Sequence, residues 1–173
     1  NEALSDNAYN GRGDIAGAAS LASGTYDASL GRIKQEWNNR YAGIKTTNIF
    51  LDNIDQVPNL SVERRDQMVA EARFLRAFQH FQLMTWFGDI PLLANDITIE
   101  EAQTIARTPR EEVLAFILSE LDHAAEVLPS RNEYSEAERG KITSGAAIAL
   151  KARVYLYEGD WNGVVRETEK LIN

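Results

Sequence analysis

Apolar side chains return every three or four residues along this sequence, and no stretch sustains the period of two that a half-buried strand requires. A chain patterned this way buries its apolar surface as packed helices, so the expected fold class is all-α. Trp37, Tyr41, Ile44, Asn48, Leu51 and Ile54 mark the first such face, on a helix that begins near Arg32 and stops at Val57-Pro58-Asn59. Ser61 then stands at an N-cap. The long helix after it carries Phe74, Leu75, Phe78, Phe81 and Met84 as a broad stripe until Gly88 and Pro91 end it.

Residues Leu92 to Arg107 read as a connector with a short polar helix inside it. Thr108-Pro109-Arg110-Glu111 reads as the next helix start, with Thr108 capping, Pro109 in the first helical position and Glu111 closing a capping box. That helix is expected to bury Val113, Phe116 or Ile117, Leu121, Ala124 and Leu128 before Pro129 halts it. A polar loop carrying Glu133, Glu136 and Glu138 leads to a helix from Thr143 to Glu158, with Ala147, Leu150, Val154 and Tyr157 on one face. Gly159-Asp160-Trp161 makes a tight turn in which Asp160 caps a last helix carrying Val164, Val165, Thr168 and Leu171.

Ahead of these helices, residues 1–31 are rich in Gly, Ala, Ser and Asn and poor in large apolar side chains. They read as an irregular segment with helical character near Ile15 to Ala22, and residues 32–173 as one helical repeat domain. Asn1 to Asp6 look like the middle of a protein, and Glu169 to Asn173 stop inside an amphipathic pattern, so a portion of a longer protein is expected.

The repeat reading comes from the last thirty or so residues. With the turn glycine of a tetratricopeptide unit placed on Gly159, Ala152 and Tyr155 fall on the small and aromatic sites of its first helix and Trp161 on the aromatic site after the turn. A small residue there lets paired helices approach, and aromatics fill the space between repeats. Ile148, Lys151, Val164 and Thr168 depart from the pattern, standing where Trp, Leu, Ala and an aromatic are usual. Trp86-Phe87-Gly88-Asp89 echoes the same aromatic-Gly-Asp turn.

Charge and composition exclude several functions. The net charge of -8 and the absence of a basic stripe argue against a nucleic-acid partner, since phosphate binding needs clustered Lys and Arg. With no cysteine there is no disulfide, thiolate metal site or cysteine nucleophile. No apolar run reaches the roughly 20 residues that span a bilayer.

Two stretches go beyond generic helix grammar. One is Glu71-Ala72-Arg73-Phe74-Leu75-Arg76-Ala77, with Phe81 and then Phe87-Gly88-Asp89-Ile90-Pro91-Leu92. The other is Gly140-Lys141-Ile142-Thr143, Ala146-Ala147 and Ala149-Leu150-Lys151-Ala152-Arg153-Val154-Tyr155-Leu156-Tyr157, with Thr108 to Val113 and Leu128-Pro129 between the two. In order and spacing these resemble the N-terminal half of the SusD/RagB family over roughly Trp37 to Asn173, with Lys141 in place of a frequent Arg.

The resemblance implies a SusD-like helical scaffold with tetratricopeptide-type repeats in a surface lipoprotein of the outer membrane. Such a protein is held by an N-terminal lipid anchor absent from this chain. It captures a glycan, or in some members a peptide, and passes it to a SusC-like TonB-dependent transporter, with no chemistry on the nutrient. The resemblance also places much of the ligand surface outside the stretch matched here. A tetratricopeptide adaptor for protein segments is the rival of a different class, and an enzyme would need paired carboxylates converging in a pocket.

Candidate site residues are few. Sugars are held by aromatic platforms with hydrogen-bonding neighbours, which singles out Tyr9, Asn10 and Tyr26, with Asn7 beside them. Trp37 and Trp161 have helix packing and the repeat turn as alternatives, and Trp86 is undecided. His80 and His123, the two histidines, lie on different helices without metal-ligand spacing and read as packed or surface residues. Asp6, Asn7, Asn10 and Asp14 offer oxygen ligands but not the spacing of a calcium loop, so no metal and no cofactor are expected. Arg73 and Arg76 are expected to pair with carboxylates or helix ends, and no catalytic residue is assigned.

Overall fold

The computed structural model describes residues 17–27 and 29–172, which form seven α-helices, three short 3-10 turns and one isolated bridge. The α-helices are α1 (Ala18–Ala22), α2 (Gly31–Asn53), α3 (Val62–Phe87), α4 (Ile99–Thr104), α5 (Arg110–Val127), α6 (Ser144–Glu158) and α7 (Trp161–Ile172). The chain divides into two compact units, one up to Tyr41 and one from Ala42 onward, with the division inside α2.

In the first unit, Glu36 is buried on α2 between Arg32 and Arg40, one turn to either side, with contacts of 2.9 and 3.0 Å. Trp37 and Tyr41 meet at the same one-turn spacing, their rings tilted by 51° with centroids 4.8 Å apart.

The second unit is built on α3. Ser61 caps it, its hydroxyl accepting the Arg64 N–H, and Gly88 ends it at a φ of 68°. The helix α5 packs along α3, α6 along α5, and α7 along α6. Fully buried Ile44, Phe81, Leu83, Met84, Ile90, Val113, Ile117, Leu121 and Val154 form the core with Ala70, Ala124 and Ala147. Of the expected faces, Ile44, Asn48 and Ile54 on and after α2, Val113, Ile117, Leu121, Ala124 and Leu128 on and after α5, and Ala147, Leu150 and Val154 on α6 are buried, while Trp37, Tyr41 and Leu51 are half-buried. Leu75 and Tyr157 differ: both are exposed, although the Tyr157 ring still meets Phe81 edge-on at 5.3 Å. The buried face of α3 is rotated from the expected stripe: Ala70, Ala72, Ala77, His80 and Leu83 take core positions beside Phe81 and Met84, while Phe74 and Phe78 are half-buried.

The start of α5 is the clearest local correction. Thr108 does not cap it and Glu111 closes no capping box; Pro109 is the N-cap and makes no side-chain bond. Thr108 is committed elsewhere, since its N–H donates to the Ile90 carbonyl at 2.9 Å and its hydroxyl accepts the Leu92 N–H at 3.3 Å. The cap comes instead from across the connector, where Asp89 Oδ1 accepts the Arg110 N–H at 3.0 Å. The side-chain capping box that does form in the connector belongs to α4, between Thr98 and Glu101.

The turn between α6 and α7 forms as expected. Gly159 takes a φ of 72°, and Asp160 Oδ1 accepts the Gly163 N–H at 2.9 Å. The small residue at the α6–α7 crossing is Gly163, one position before the Val164 that the repeat alignment indicates. A Cβ at Gly163 would lie 2.6 Å from the Tyr155 ring, so nothing larger fits without movement.

Candidate functional site

A buried polar centre fixes the second unit. Glu120 on α5 accepts from Arg73 Nε at 2.7 Å through one oxygen and from Arg76 Nη2 at 2.7 Å through the other. Arg76 also donates to Asn48 on α2 at 2.9 Å and to the Ala94 carbonyl. Asn48 in turn donates to the Leu93 and Asn95 carbonyls at 3.1 and 2.7 Å, and Asp52 accepts the Asp96 N–H at 3.0 Å. The connector backbone is thus held by side chains from two helices, α2 and α3. The expected pairing of Arg73 and Arg76 with carboxylates is what the structure shows.

His80 lies against this centre and is fully buried. Burial drives its pKa down to about 4. The neutral ring then donates from Nδ1 to the Arg76 carbonyl at 2.9 Å and accepts the Leu93 N–H at Nε2, 3.4 Å away. It is a packed histidine, as its isolation in the sequence suggests.

A half-open cleft of about 400 Å³ lies where the end of α2, the start of α3 and the end of α5 meet. Leu51, Ile54, Val69 and Val127 line it with aliphatic surface, and Asp55, Arg65, Asp66 and His123 give it a polar rim. Arg65 bridges the two carboxylates, at 2.8 Å from Asp55 and 2.7 Å from Asp66, and these hold its pKa above the ordinary value. His123 is shifted down, first by burial and then by the Arg73 charge. The rim therefore offers a neutral imidazole and a bridged acid–base pair for hydrogen bonding to a polar ligand, over an apolar floor. Sequence reasoning did not find this cleft: its residues come from separate helices, and no local spacing joins them.

Of the residues expected to touch a ligand, Tyr9 and Asn10 lie outside the described residues, as do Asp6, Asn7 and Asp14. Tyr26 is described, half exposed in the extended segment after α1. Thr25 before it binds Ser23 through their hydroxyls at 2.8 Å. Asp27 after it accepts the Ser29 hydroxyl and N–H, and both bonds hold its carboxyl below the usual range. Tyr26 is thus half exposed between residues held by local hydrogen bonds. No group of three or more His, Cys, Asp or Glu side chains among the described residues is placed to hold a metal ion.

The hairpin of α6 and α7 carries a second polar cluster. Glu167 is buried and meets Lys170 at 2.7 Å, Lys151 at 3.3 Å and Arg166 at 3.4 Å, while Lys151 also pairs with Asp122 on α5. Burial opposes the charge on Glu167, but Lys170 and Lys151 more than offset it and its pKa lies below the usual range. Lys151 and Arg166 also flank the Tyr155 ring, 5.8 and 5.2 Å from its centroid.

Comparison with known proteins places this architecture. The SusD-like family model described as starch-binding and associating with the outer membrane matches residues 4–156. A SusD-like protein P2 of Formosa agariphila is 33% identical over 146 residues, which cover 83% of this chain and 28% of that protein. The starch-binding protein SusD of Bacteroides thetaiotaomicron is 29% identical over 67% of this chain and 19% of its own length. Among solved structures, a SusD-like carbohydrate binding protein from Bacteroides fragilis superposes with a TM-score of 0.90 at 32% identity, covering 99% of this chain and 33% of that one. The chain therefore spans a third or less of the relatives it matches. Among the described residues, no helix is long and apolar enough to cross a membrane.

Proposed function

The chain belongs to the SusD-like family, and from that premise we propose that the polypeptide carrying it binds carbohydrate at the outer-membrane surface for nutrient uptake. It captures a glycan without breaking or making a bond in it, and hands it to a SusC-like TonB-dependent transporter. A lipid anchor at the N-terminus of the complete polypeptide keeps it at the surface. The observation that carries the reading is the correspondence of fold over 99% of this chain with a carbohydrate binding protein of the family. The clamped α3–α5 unit is then scaffold, and Tyr9, Asn10 and Tyr26 belong to the ligand-facing segment.

Affinity electrophoresis through gels containing starch, laminarin or other soluble polysaccharides, followed by calorimetry on any hit, tests this with the complete polypeptide beside this chain. The expected result is retardation of the complete polypeptide with no release of reducing sugar. Tyr26→Ala should weaken binding by roughly threefold to tenfold, the worth of one stacking contact. Silence across the glycans with binding of peptides instead would overturn the carbohydrate reading, and release of reducing sugar would make the protein an enzyme.

A further inference from the structure

The turn between α6 and α7 keeps a chemically reactive dipeptide under a single side-chain hydrogen bond. Asn162 and Gly163 stand in the first turn of α7, Asn162 exposed and Gly163 buried. Packing dictates the glycine, since a Cβ there would lie 2.6 Å from the Tyr155 ring and 2.7 Å from Asp160 Oδ2. The missing Cβ also leaves the Gly163 nitrogen without steric cover against the amide of the preceding side chain. What holds that nitrogen is Asp160. Its Oδ1 accepts the Gly163 N–H at 2.9 Å, and its carbonyl accepts the Val164 N–H at 3.0 Å. While both bonds stand, the nitrogen keeps its proton and a helical backbone, and it does not reach Asn162 Cγ.

We infer that Asn162–Gly163 is a spontaneous deamidation site whose rate is set by the Asp160 cap, a slow one-way modification of the α6–α7 hairpin. When the first turn opens, hydroxide takes the Gly163 amide proton and the nitrogen attacks Asn162 Cγ. The new N–Cγ bond forms, the Cγ–Nδ2 bond breaks, and ammonia leaves with a proton from water, which restores the hydroxide. Water then opens the five-membered imide at either carbonyl, leaving aspartate or isoaspartate at position 162. The aspartate product keeps the backbone and puts a negative charge in a first helical turn, where the helix dipole favours it. The isoaspartate product inserts a methylene into the main chain just before the Gly163 nitrogen. That shift moves Gly163 off both Asp160 and the Tyr155 ring, which leave it no spare room. The start of α7 is then loosened for good.

Peptide mapping by mass spectrometry during incubation at mildly alkaline pH follows the conversion of Asn162. Asn10–Gly11, the other Asn-Gly pair of the sequence, serves as an internal reference. Circular dichroism reports whether each variant folds. Asp160→Ala should raise the Asn162 rate about threefold to thirtyfold, the factor by which loss of a cap favours opening of a first turn. Asp160→Asn retains an acceptor oxygen and should stay within about twofold of the parent. Thr143→Ala removes the cap of α6 instead, where Thr143 Oγ1 accepts the Ala146 N–H at 3.1 Å, and should also leave the Asn162 rate within about twofold. The Asn10 rate should be the same in all four proteins, and in urea all four should convert Asn162 at one rate. A folded Asp160→Ala protein no faster than the parent would overturn the inference. So would an equal rise in Thr143→Ala, a difference between Asp160→Ala and the parent that persists in urea, or no conversion of Asn162 in the unfolded parent.

Discussion

Glu120 on α5 and Glu167 on α7 are equally hidden from water, with side chains 3% and 1% exposed, yet the charges that answer them come from different places. Glu120 is met by Arg76, itself buried, and by Arg73 from the edge of the same interior. Only Lys151 meets Glu167 from inside; Lys170 and Arg166 reach it from solvent with half their side-chain surface wet. A buried acid with buried donors has no alternative partner when one is removed. A buried acid with wet donors returns them to water instead. The cost of losing such a glutamate should therefore follow the burial of its donors rather than its own.

The largest effect falls on the central cluster. Glu120→Gln leaves the Arg76 guanidinium inside the core with no counter-ion and should lower stability by about 3–5 kcal/mol. Urea denaturation at neutral pH reads it. Replacing Glu120 by Leu together with Arg76 by Met removes both charges and should lose less than the single change does. A single variant within 1 kcal/mol of the parent would mean that Arg76 finds water the structure does not show.

The next effect belongs to the same cluster and sharpens the contrast by pH. His80 titrates near 4 when folded and near 6.5 when free, so the unfolded chain takes up a proton that the folded chain refuses. The stability tied to neutral His80 is complete above pH 6.5 and declines as pH falls toward 4, by about 1.4 kcal/mol per unit and about 3 kcal/mol in all. His123, whose pKa is also lowered, contributes in the same direction. Comparing the parent with His80→Gln at pH 7 and pH 4.5 isolates His80, because the Gln variant keeps the His123 slope. A difference between the two proteins that does not change with pH would remove the assignment.

These contrasts also mark what the sequence could and could not say. The all-α fold was legible because its apolar period needs no tertiary information, and Ser61, Gly88 and Gly159 punctuate the chain by local rules. The start of α5 was misread because Asp89, 21 residues earlier, took the cap while Thr108 paired with Ile90. Arg73 and Arg76 carried a signal of pairing, but their shared partner Glu120 lies more than 40 residues away and no spacing announces it. The cleft of Asp55, Arg65, Asp66 and His123 was illegible for the same reason. On α7 the sequence marked Val164, Val165, Thr168 and Leu171, of which Val164 and Thr168 are half-buried, but nothing local announced that Gly163 is the fully buried small residue, which the approach of the Tyr155 ring decides.

The smallest effect falls on the hairpin, and it decides whether donor exposure is the right variable. Glu167→Gln keeps the shape of the side chain, leaves Lys170 and Arg166 free to turn into solvent, and leaves Lys151 with Asp122. The expected loss at pH 7 is about 1–2 kcal/mol, in the range of a hydrogen bond to a charged group, and part of it should disappear in high salt as the wet donors are screened. Because the folded pKa of Glu167 lies below its ordinary 4.5, the contribution is present above that value and fades as pH falls through the lower folded one. Parent and variant should therefore converge in urea midpoint once the pH has fallen below that lowered folded value. A loss as large as that of Glu120→Gln, insensitive to salt, would break the comparison, because Lys151 alone would then account for the cost of the site.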